Sequence, residues 1–218
     1  MRVFISRSRY KAESLAIELE KRGVEVECIP LIDTVAIEYV SPLLNFNWIF
    51  FSSRNCVKHF FAAKPDISNA KLAAIGSMTA KALVEFGTVD FVGSSNKTDE
   101  VTTQFANTVG TDRVLFPISK GSLQTIQSGL SADQVTNLVC YKTVLKPRNL
   151  SIFDVYLFTS PSNVRSFAER NDFPINSLYL AGPTTCKELL NRGVGNPISL
   201  TNWKESTMLD AIFSKRDC

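Results

Sequence analysis

The chain has 218 residues, of which 44% are hydrophobic, and its formal net charge at pH 7 is +3. This length suits one large domain or two small ones, and the composition is that of an ordinary globular protein. The basic excess is too small to indicate nucleic-acid binding, and no stretch reaches the roughly 18 apolar residues of a membrane span. We therefore expect neither a nucleic-acid nor a membrane partner.

The cysteine pattern argues against a structural metal. The five cysteines are widely spaced, no CxxC pair is present, and His59 is the single histidine. A zinc site is therefore not expected, and the odd cysteine count is typical of reduced thiols in the cytoplasm. The first residues, MRVFISRSRYKAESL, lack the long apolar run of a signal peptide, which again predicts a cytoplasmic protein.

The first part of the chain has the pattern of one βαβ unit. RVFIS (2–6) predicts a strand, KAESLAIELEKRG (11–23) a helix that stops at a glycine, and VEVECIP (24–30) a second strand. Strand, helix and strand within about 35 residues is the size of such a unit.

The same alternation continues to the end of the chain. Further predicted strands are 48–52, 71–76, 88–93, 112–117, 134–144, 155–160, 177–182 and 196–200. Further predicted helices are 55–63, 78–87, 99–109, 121–130, 161–170, 183–193 and 206–215. Because the strands are continuously apolar and alternate with helices, they predict parallel sheets covered on both faces, which is a doubly wound α/β fold.

Several phrases of the sequence occur twice. FSS at 51–53 matches FTS at 158–160, at an offset of 107 residues. AIGSMTAKAL (74–83) matches AGPTTCKEL (181–189) at a similar offset, and RVFISR near the N-terminus loosely matches RVLFPISK. The chain is therefore predicted to contain two copies of a five-stranded unit, and ten strands fit two flavodoxin-like sheets better than one.

The repeat leaves open which pieces share a sheet. The four pieces are 1–34, 48–93, 112–143 and 155–218. They could form two contiguous domains, or the first could pair with the last and enclose the other two. The connectors between lobes are both β-branched and proline-containing, at 34–42 and 142–149, and could run side by side as paired linkers. That similarity favours the inserted arrangement.

Both repeated phrases lie at strand-to-helix turns, the edge where doubly wound sheets bind ligands. Pro161 and Pro183 suit the first helical position, with Ser160 and Gly182 as caps before them. Each turn directs free backbone N–H groups at this edge, which predicts anion sites on both units. The predicted anion-binding residues of these turns are Ser53, Arg54, Asn55, Gly76, Ser77, Thr79, Ser160, Ser162, Gly182, Thr184 and Thr185. Any one of the side chains could instead serve only as a helix N-cap.

The common catalytic motifs are absent from the sequence. There is no GxSxG, no GxxxxGK[ST], and no GxGxxG after the first strand. A serine triad could use only His59, which lies within a predicted helix and is expected to have a structural or surface role. The acidic residues are scattered, so we expect catalysis without a metal or a cofactor, based on positioning of the substrate.

The ordered set FSSRNCV, AIGSMTAKAL, VCYKT, FTSPSNV and AGPTTCKELL resembles the uroporphyrinogen-III synthase family over essentially the whole chain. The resemblance implies two flavodoxin-like domains joined by a two-stranded linker. The first domain is discontinuous, at 1–35 plus 148–218, the second spans 40–143, and the linker strands are 35–40 and 143–148. We expect a cytoplasmic monomer whose two lobes hinge open and closed around a large polyanion.

The resemblance also implies a reaction. The substrate is hydroxymethylbilane, a linear tetrapyrrole with acetate and propionate arms, handed over from hydroxymethylbilane synthase. The family dehydrates and cyclises it with inversion of ring D through a spiro intermediate, giving uroporphyrinogen III on the route to haem. The family's favoured proton donor, a tyrosine in a V-Y-x-T phrase, maps onto Tyr141 in VCYKT. The alternative is a strand-end tyrosine that only caps the linker.

The chain departs from the family pattern in two turns. AIGSMT has Met78 where a small polar residue is usual, and 115–122 reads LFPISKGS where an arginine–glycine is more usual. Lys120 then supplies a cation without a bidentate grip. The cations expected to bind substrate are Arg7, Arg54 and Lys120.

Two other classes of protein remain as alternatives. One is a two-lobed binding module that closes on an anionic metabolite or a tetrapyrrole without chemistry, and turnover of an acyclic tetrapyrrole would separate it from the synthase. The other is a pair of receiver-like domains, which need acidic residues where this chain begins RVFISRSR. Fold alone does not separate these alternatives, whereas the ordered motifs favour the synthase.

Overall fold

The computed structural model describes residues 1–40, 46–67 and 70–214. Residues 41–42 of the predicted first connector, the last residue of the predicted 206–215 helix, and Cys218 lie outside the described residues. The structure is mixed α/β with parallel sheets, which confirms the predicted fold class. It divides into two compact units, with unit 1 formed by Met1–Asp33 and Val144–Cys218 and unit 2 by Thr34–Thr143.

Strands and helices alternate along most of the described chain. The strands are β1 (Arg2–Ile5), β2 (Glu25–Cys28), β3 (Ile32–Ala36), β4 (Trp48–Phe51), β5 (Lys71–Ala74), β6 (Val89–Val92), β7 (Val114–Ser119), β8 (Val135–Leu145), β9 (Val155–Phe158), β10 (Leu178–Ala181) and β11 (Ile198–Ser199). The α-helices are α1 (Glu13–Lys21), α2 (Arg54–Phe61), α3 (Ser77–Leu83), α4 (Thr98–Val109), α5 (Pro161–Ala168), α6 (Pro183–Asn191) and α7 (Glu205–Phe213).

The two sheets share one spatial order of parallel strands. Unit 1 has the order β11-β10-β9-β1-β2, and unit 2 has β6-β5-β4-β7-β8 with β3 added beside β8. Each sheet is therefore flavodoxin-like in layout. In each sheet the strand order changes direction between two adjacent strands. These are β1 and β9 in unit 1, and β7 and β4 in unit 2. Because β7 follows β4 along the chain, unit 2 is a circularly permuted copy of the unit 1 layout.

Alternate residues of the central strands pack on opposite faces of each sheet, as the pleat requires. In unit 1, Val3 and Ile5 pack in a cluster with residues of α1 and α7, whereas Phe4 packs in an aromatic cluster with residues of α5 and α6. In unit 2, Phe51 packs with residues of α2 and α3, and Phe50 packs with residues of α4. Both sheets are thus covered on both faces, which explains their continuously apolar strands.

The predicted helix at 121–130 was wrong. Only a short 3₁₀ turn, Gln127–Gly129, forms there. Gly121 has φ +83° and Gln124 has φ +54°, both left-handed values that an α-helix excludes. The segment instead runs as an irregular loop on the face of the sheet that packs with α4, where Ile126 joins the apolar cluster. A hydrogen bond of 2.9 Å joins the Gln127 amide to Asn137.

The expected set of ten strands also needs a correction, because β3 is an eleventh strand within the described residues. Ile37 N donates to Cys140 O at 2.9 Å, and Lys146 N donates to Leu31 O at 2.8 Å, so β3 and β8 run antiparallel. The β-branched residues of both segments favour this pairing. The predicted 11–23 helix is shorter than expected, because a 3₁₀ turn at Arg9–Lys11 precedes α1.

Candidate functional site

In unit 2, Tyr141 lies where the carboxyl end of β7 meets β8. Tyr141 is opposite Ser119 in the parallel register, and Lys120 N donates to Tyr141 O at 2.8 Å. The register of the ladder shifts between Ile118 and Ser119, next to the Ser119–Tyr141 pair. The Tyr141 phenol contacts Cys56 in the first turn of α2, the helix that follows β4.

The phenol of Tyr141 is enclosed by polar side chains. Its ring stacks on His59, with centroids 4.9 Å apart and an interplanar angle of 16°. The Cys56 thiol donates to Tyr141 Oη at 3.9 Å, and the hydroxyls of Ser53 and Ser119 hydrogen-bond to the same phenol. Tyr141 is buried, with 7% of its surface exposed. The structure thus holds one tyrosine within a set of hydroxyl and thiol groups.

Burial, and to a lesser extent the neighbouring Cys56, raises the pKa of Tyr141 to about 12, while hydrogen bonds from Ser53 and Ser119 oppose the rise. Desolvation favours the neutral form of a phenol, which explains the direction of the pKa shift. Tyr141 is therefore a protonated group at neutral pH, able to donate a proton and not to accept one.

Helix α2 supplies the serine, thiol and imidazole of this cluster from one face. The Ser53 hydroxyl caps the helix by accepting from Cys56 N at 3.2 Å. His59 lies a further turn along, and its Nε2 shares a hydrogen bond of 2.8 Å with the Thr34 hydroxyl. The spacing of three residues places Ser53, Cys56 and His59 on the same side of α2. Of the two other predicted residues of this turn, Arg54 is exposed and Asn55 is half-buried.

The α3 turn presents a different set of groups. Gly76 caps the helix in extended conformation, Ser77 is exposed, and Met78 has 55% of its surface exposed. Thr79, by contrast, is only 5% exposed, so its hydroxyl is turned into the unit rather than toward solvent. The backbone of this turn is accessible through Ser77, whereas the predicted Thr79 contact would need the turn to open.

In unit 1, the α5 turn repeats the cap of unit 2. The Ser160 hydroxyl accepts from Asn163 N at 3.3 Å and also from the Asn163 side-chain amide at 2.9 Å. The Ser162 hydroxyl accepts from Arg165 at 2.9 Å, which brings a guanidinium to this turn that the sequence did not reveal. Arg165 also forms an ion pair with Glu188. The two caps show that the doubled phrases are matching helix starts.

The remaining predicted residues of unit 1 lie at the ends of β1 and β10. Thr184 is exposed, whereas Gly182 is buried and Thr185 is buried with 3% of its surface exposed. A Cβ on Gly182 would lie 3.6 Å from the indole of Trp203, so this turn is covered by a tryptophan. Arg7 is exposed just after β1, and its guanidinium donates to Lys11 O at 3.4 Å.

Besides Arg165, three groups that the sequence did not reveal lie beside predicted residues. Cys56 and His59 contact Tyr141, and Trp203 covers Gly182. The spacing from Ser53 to Cys56 to His59 is the signal that could have found the first two. Within the part of the chain that the structure describes, no group of three or more His, Cys, Asp or Glu side chains is placed to hold a metal ion. No described helix combines the length and apolar character needed to cross a membrane.

Two doubly wound parallel sheets with serine-capped turns at their ligand edges define the class of α/β protein to which the chain belongs. A family model described as uroporphyrinogen-III synthase HemD matches residues 13–209, and the chain therefore belongs to the uroporphyrinogen-III synthase family. The family consists of cyclising lyases of haem biosynthesis that act on hydroxymethylbilane, and this chain is an enzyme of that class.

Solved structures share the fold. The uroporphyrinogen-III synthetase of Helicobacter pylori is similar with a TM-score of 0.73 and 19% identity, over 99% of this chain and 100% of that chain. A mutant uroporphyrinogen III synthase from Thermus thermophilus is similar with a TM-score of 0.60 and 18% identity, over 100% of both chains. At this identity the likeness shows the fold alone. The comparison with curated proteins found no match.

Proposed function

We propose that this protein converts hydroxymethylbilane into uroporphyrinogen III, with loss of water and inversion of ring D. The observation that carries the proposal is the family match over residues 13–209. It is supported by the donor-lined turns of both units, because a substrate coated in carboxylates needs hydrogen-bond donors and cations along its length.

Tyr141 is the proposed proton donor. Its phenol protonates the hydroxymethyl oxygen, the C–O bond breaks, and water leaves. The phenolate oxygen that remains accepts hydrogen bonds from the Cys56 thiol and the two serine hydroxyls beside it. The azafulvene carbon then bonds to the substituted carbon of ring D to give the spiro intermediate. Rearrangement and the final loss of a proton from the ring restore aromaticity and balance the proton that the tyrosine donated.

The proposed role of the turns is to fix the folded substrate, since ring inversion depends on which carbon of ring D the azafulvene meets. The cations Arg7, Arg54 and Lys120 attract the carboxylates, and accessible donors of the turns orient them. The proposed substrate-binding residues are Arg7, Ser53, Arg54, Asn55, Gly76, Ser77, Thr79, Lys120, Ser160, Ser162, Gly182, Thr184 and Thr185.

We further propose that the enzyme works as a cytoplasmic monomer that receives its substrate from hydroxymethylbilane synthase. The two units, built on one layout, each offer a ligand edge, so a single chain provides donors for the whole substrate. Sedimentation of the purified protein at micromolar concentration tests the oligomeric state, and a dimer would contradict it.

The test of the reaction is an isomer assay. Hydroxymethylbilane is generated in place, the purified protein is added without metal, and the oxidised uroporphyrin isomers are separated. We expect type III to dominate. Type I alone, at the spontaneous rate, would overturn the proposed reaction and leave a module that binds tetrapyrroles or other anions.

A further inference from the structure

A pocket of about 430 Å³ opens in unit 1 beside the carboxyl ends of β1 and β9. Ile5 and Leu157, the neighbouring strand residues, belong to its lining, and the 3₁₀ turn, α1 and α7 supply most of the rest. These two strands are the ones between which the strand order of unit 1 switches direction. The crevice at such a switch point is where doubly wound sheets bind ligands, and the volume lies in the range of about 300–1,000 Å³ of small-molecule pockets.

Two aromatic side chains line this pocket with open ring faces. Tyr10 has 85% of its surface exposed and Trp203 has 43%. Within the described residues neither ring packs against another aromatic ring or under a cation, and Trp203 is held in place against Gly182. Exposed rings on one concave surface offer a flat ligand two stacking platforms.

The charged groups of the pocket are of both signs. Arg7 and Lys11 supply cations, and the Lys11 ammonium has no salt-bridge partner among the described residues. Glu13 and Glu205 supply carboxylates, and Glu205 accepts a hydrogen bond from the Ser14 hydroxyl. This combination fits a ligand with carboxylate arms and an N–H donor on a flat ring. A pyrrole that carries acetate and propionate has each of these groups.

We propose that this unit 1 pocket binds one pyrrole ring of the linear substrate, stacked on Trp203 and Tyr10, with its acid arms on Arg7 and Lys11. The pyrrole N–H is the partner of the Glu13 carboxylate. The proposal rests on the proposed function for the identity of the ligand, but no residue that lines the pocket belongs to the Tyr141 cluster of unit 2. Through this pocket, side chains of unit 1 bind a substrate ring, in addition to the backbone donors of the turns.

The test uses the full chain and porphobilinogen, a single pyrrole with both acid arms. Trp48 is buried at 4% exposure, so a change of tryptophan fluorescence on titration reports Trp203. We expect quenching with a dissociation constant on the order of 1 mM or below, the range for a ligand of this size. By calorimetry, Trp203→Ala should weaken binding about tenfold, whereas Trp203→Phe keeps a stacking ring and should stay within about threefold.

Charge variants complete the test. Lys11→Gln should weaken porphobilinogen binding and reduce its dependence on salt. Lys21→Gln removes the same charge from the far end of α1, which does not line the pocket, and should leave binding unchanged. Circular dichroism of each variant verifies that it is folded.

Absence of binding up to about 10 mM, about tenfold above the expected constant, would overturn the proposed pocket. Equal affinity of folded Trp203→Ala and wild-type protein would overturn it too. If isomer III forms and Trp203→Ala leaves KM for hydroxymethylbilane unchanged, the pocket proposal fails while the proposed function stands. If porphobilinogen binds and Trp203→Ala weakens it, yet no isomer III forms, the pocket stands and the proposed reaction fails.

Discussion

Replacing Tyr141 with phenylalanine tests the proton donor at the scale of one oxygen atom. The change keeps the ring that stacks on His59 and removes only the phenol hydroxyl. We expect formation of isomer III to slow by about 100-fold, the lower end of general-acid contributions, while positioning preserves the choice of isomer. Single-turnover kinetics with isomer analysis measures both quantities.

The matched control is Tyr39→Phe. Tyr39 lies in the same unit, and its hydroxyl donates to the Phe60 carbonyl rather than to the Tyr141 phenol. The control should retain the wild-type rate. A Tyr141→Phe enzyme as fast as the control would show that the tyrosine is a structural strand residue.

At the residue scale the sequence could predict some contacts and not others. Tyr141 could be singled out from the sequence because VCYKT resembles a family motif. That Cys56 and His59 are its neighbours depends on how α2 packs against β8, which the motif does not report. Thr79 and Thr185 look like donors in the sequence, yet both residues are buried. Burial depends on the packing of the whole turn, which residue type and spacing do not report.

At the scale of elements, the two serine caps separate helix stability from substrate binding. Ser53 and Ser160 each accept a backbone N–H of their helix. Changing either to alanine should lower the free energy of unfolding by about 1 kcal/mol. Changing either to aspartate keeps the cap and suits the helix dipole, so stability should be preserved.

The aspartate variants should nevertheless raise KM for hydroxymethylbilane, because a new carboxylate at the turn repels those of the substrate. Urea unfolding and steady-state kinetics measure the two effects. An aspartate variant with unchanged KM would show that its turn is only a helix start and does not meet the substrate.

The helix predicted at 121–130 shows that apolar spacing alone does not establish a helix. Leu123, Ile126 and Leu130 have the spacing of a helix face. In the structure Ile126 is 3% exposed but Leu123 is 86% exposed, so the apolar residues do not share one buried face. The strands were predicted far better, since a buried parallel strand is continuously apolar whatever its neighbours.

At the scale of the whole molecule, unit 2 should fold without the rest of the chain. It runs continuously from Thr34 to Thr143 and has apolar clusters on both faces of its own sheet. A fragment of these residues is expected to unfold cooperatively in urea and to make no isomer III, because it lacks the unit 1 turns. A fragment without dispersed amide resonances would show that the division is not one of folding domains.

The protein should lose stability in alkaline solution. Burial raises the pKa of Cys140, Tyr39 and Tyr141 to about 12 each. The unfolded chain releases these protons near pH 9 to 10, whereas the folded chain keeps them to about pH 12. The stabilising contribution is therefore complete below about pH 9 and falls as the pH rises toward 12.

Urea unfolding at pH 8 and at pH 10.5 measures this change. Tyr39→Phe removes one of the three groups and should make the decline less steep. A free energy of unfolding that is equal at both pH values would contradict the buried state of these side chains.

The repeat predicted two sheets of one layout, and the structure bears this out strand by strand. The sequence left open which of the four pieces share a sheet, because short matched phrases do not report which strands become neighbours. The extra strand β3 was hidden for a similar reason. Its residues have the sequence pattern of a connector. They form a strand because β8 continues to Leu145, beyond its pairing with β7, and hydrogen-bonds with them.

The inserted layout also orders events during synthesis. Val3 of β1 pairs with Val155 of β9, so the whole of unit 2 leaves the ribosome between the two strands. At about 5–20 residues per second, that interval is on the order of 10 s. Unit 2 has time to reach its native state within it, because most domains of this size fold in seconds or less. During this interval the apolar strand β1 lacks β9, its neighbour in the sheet. We therefore expect a chaperone to help the nascent chain most during this interval.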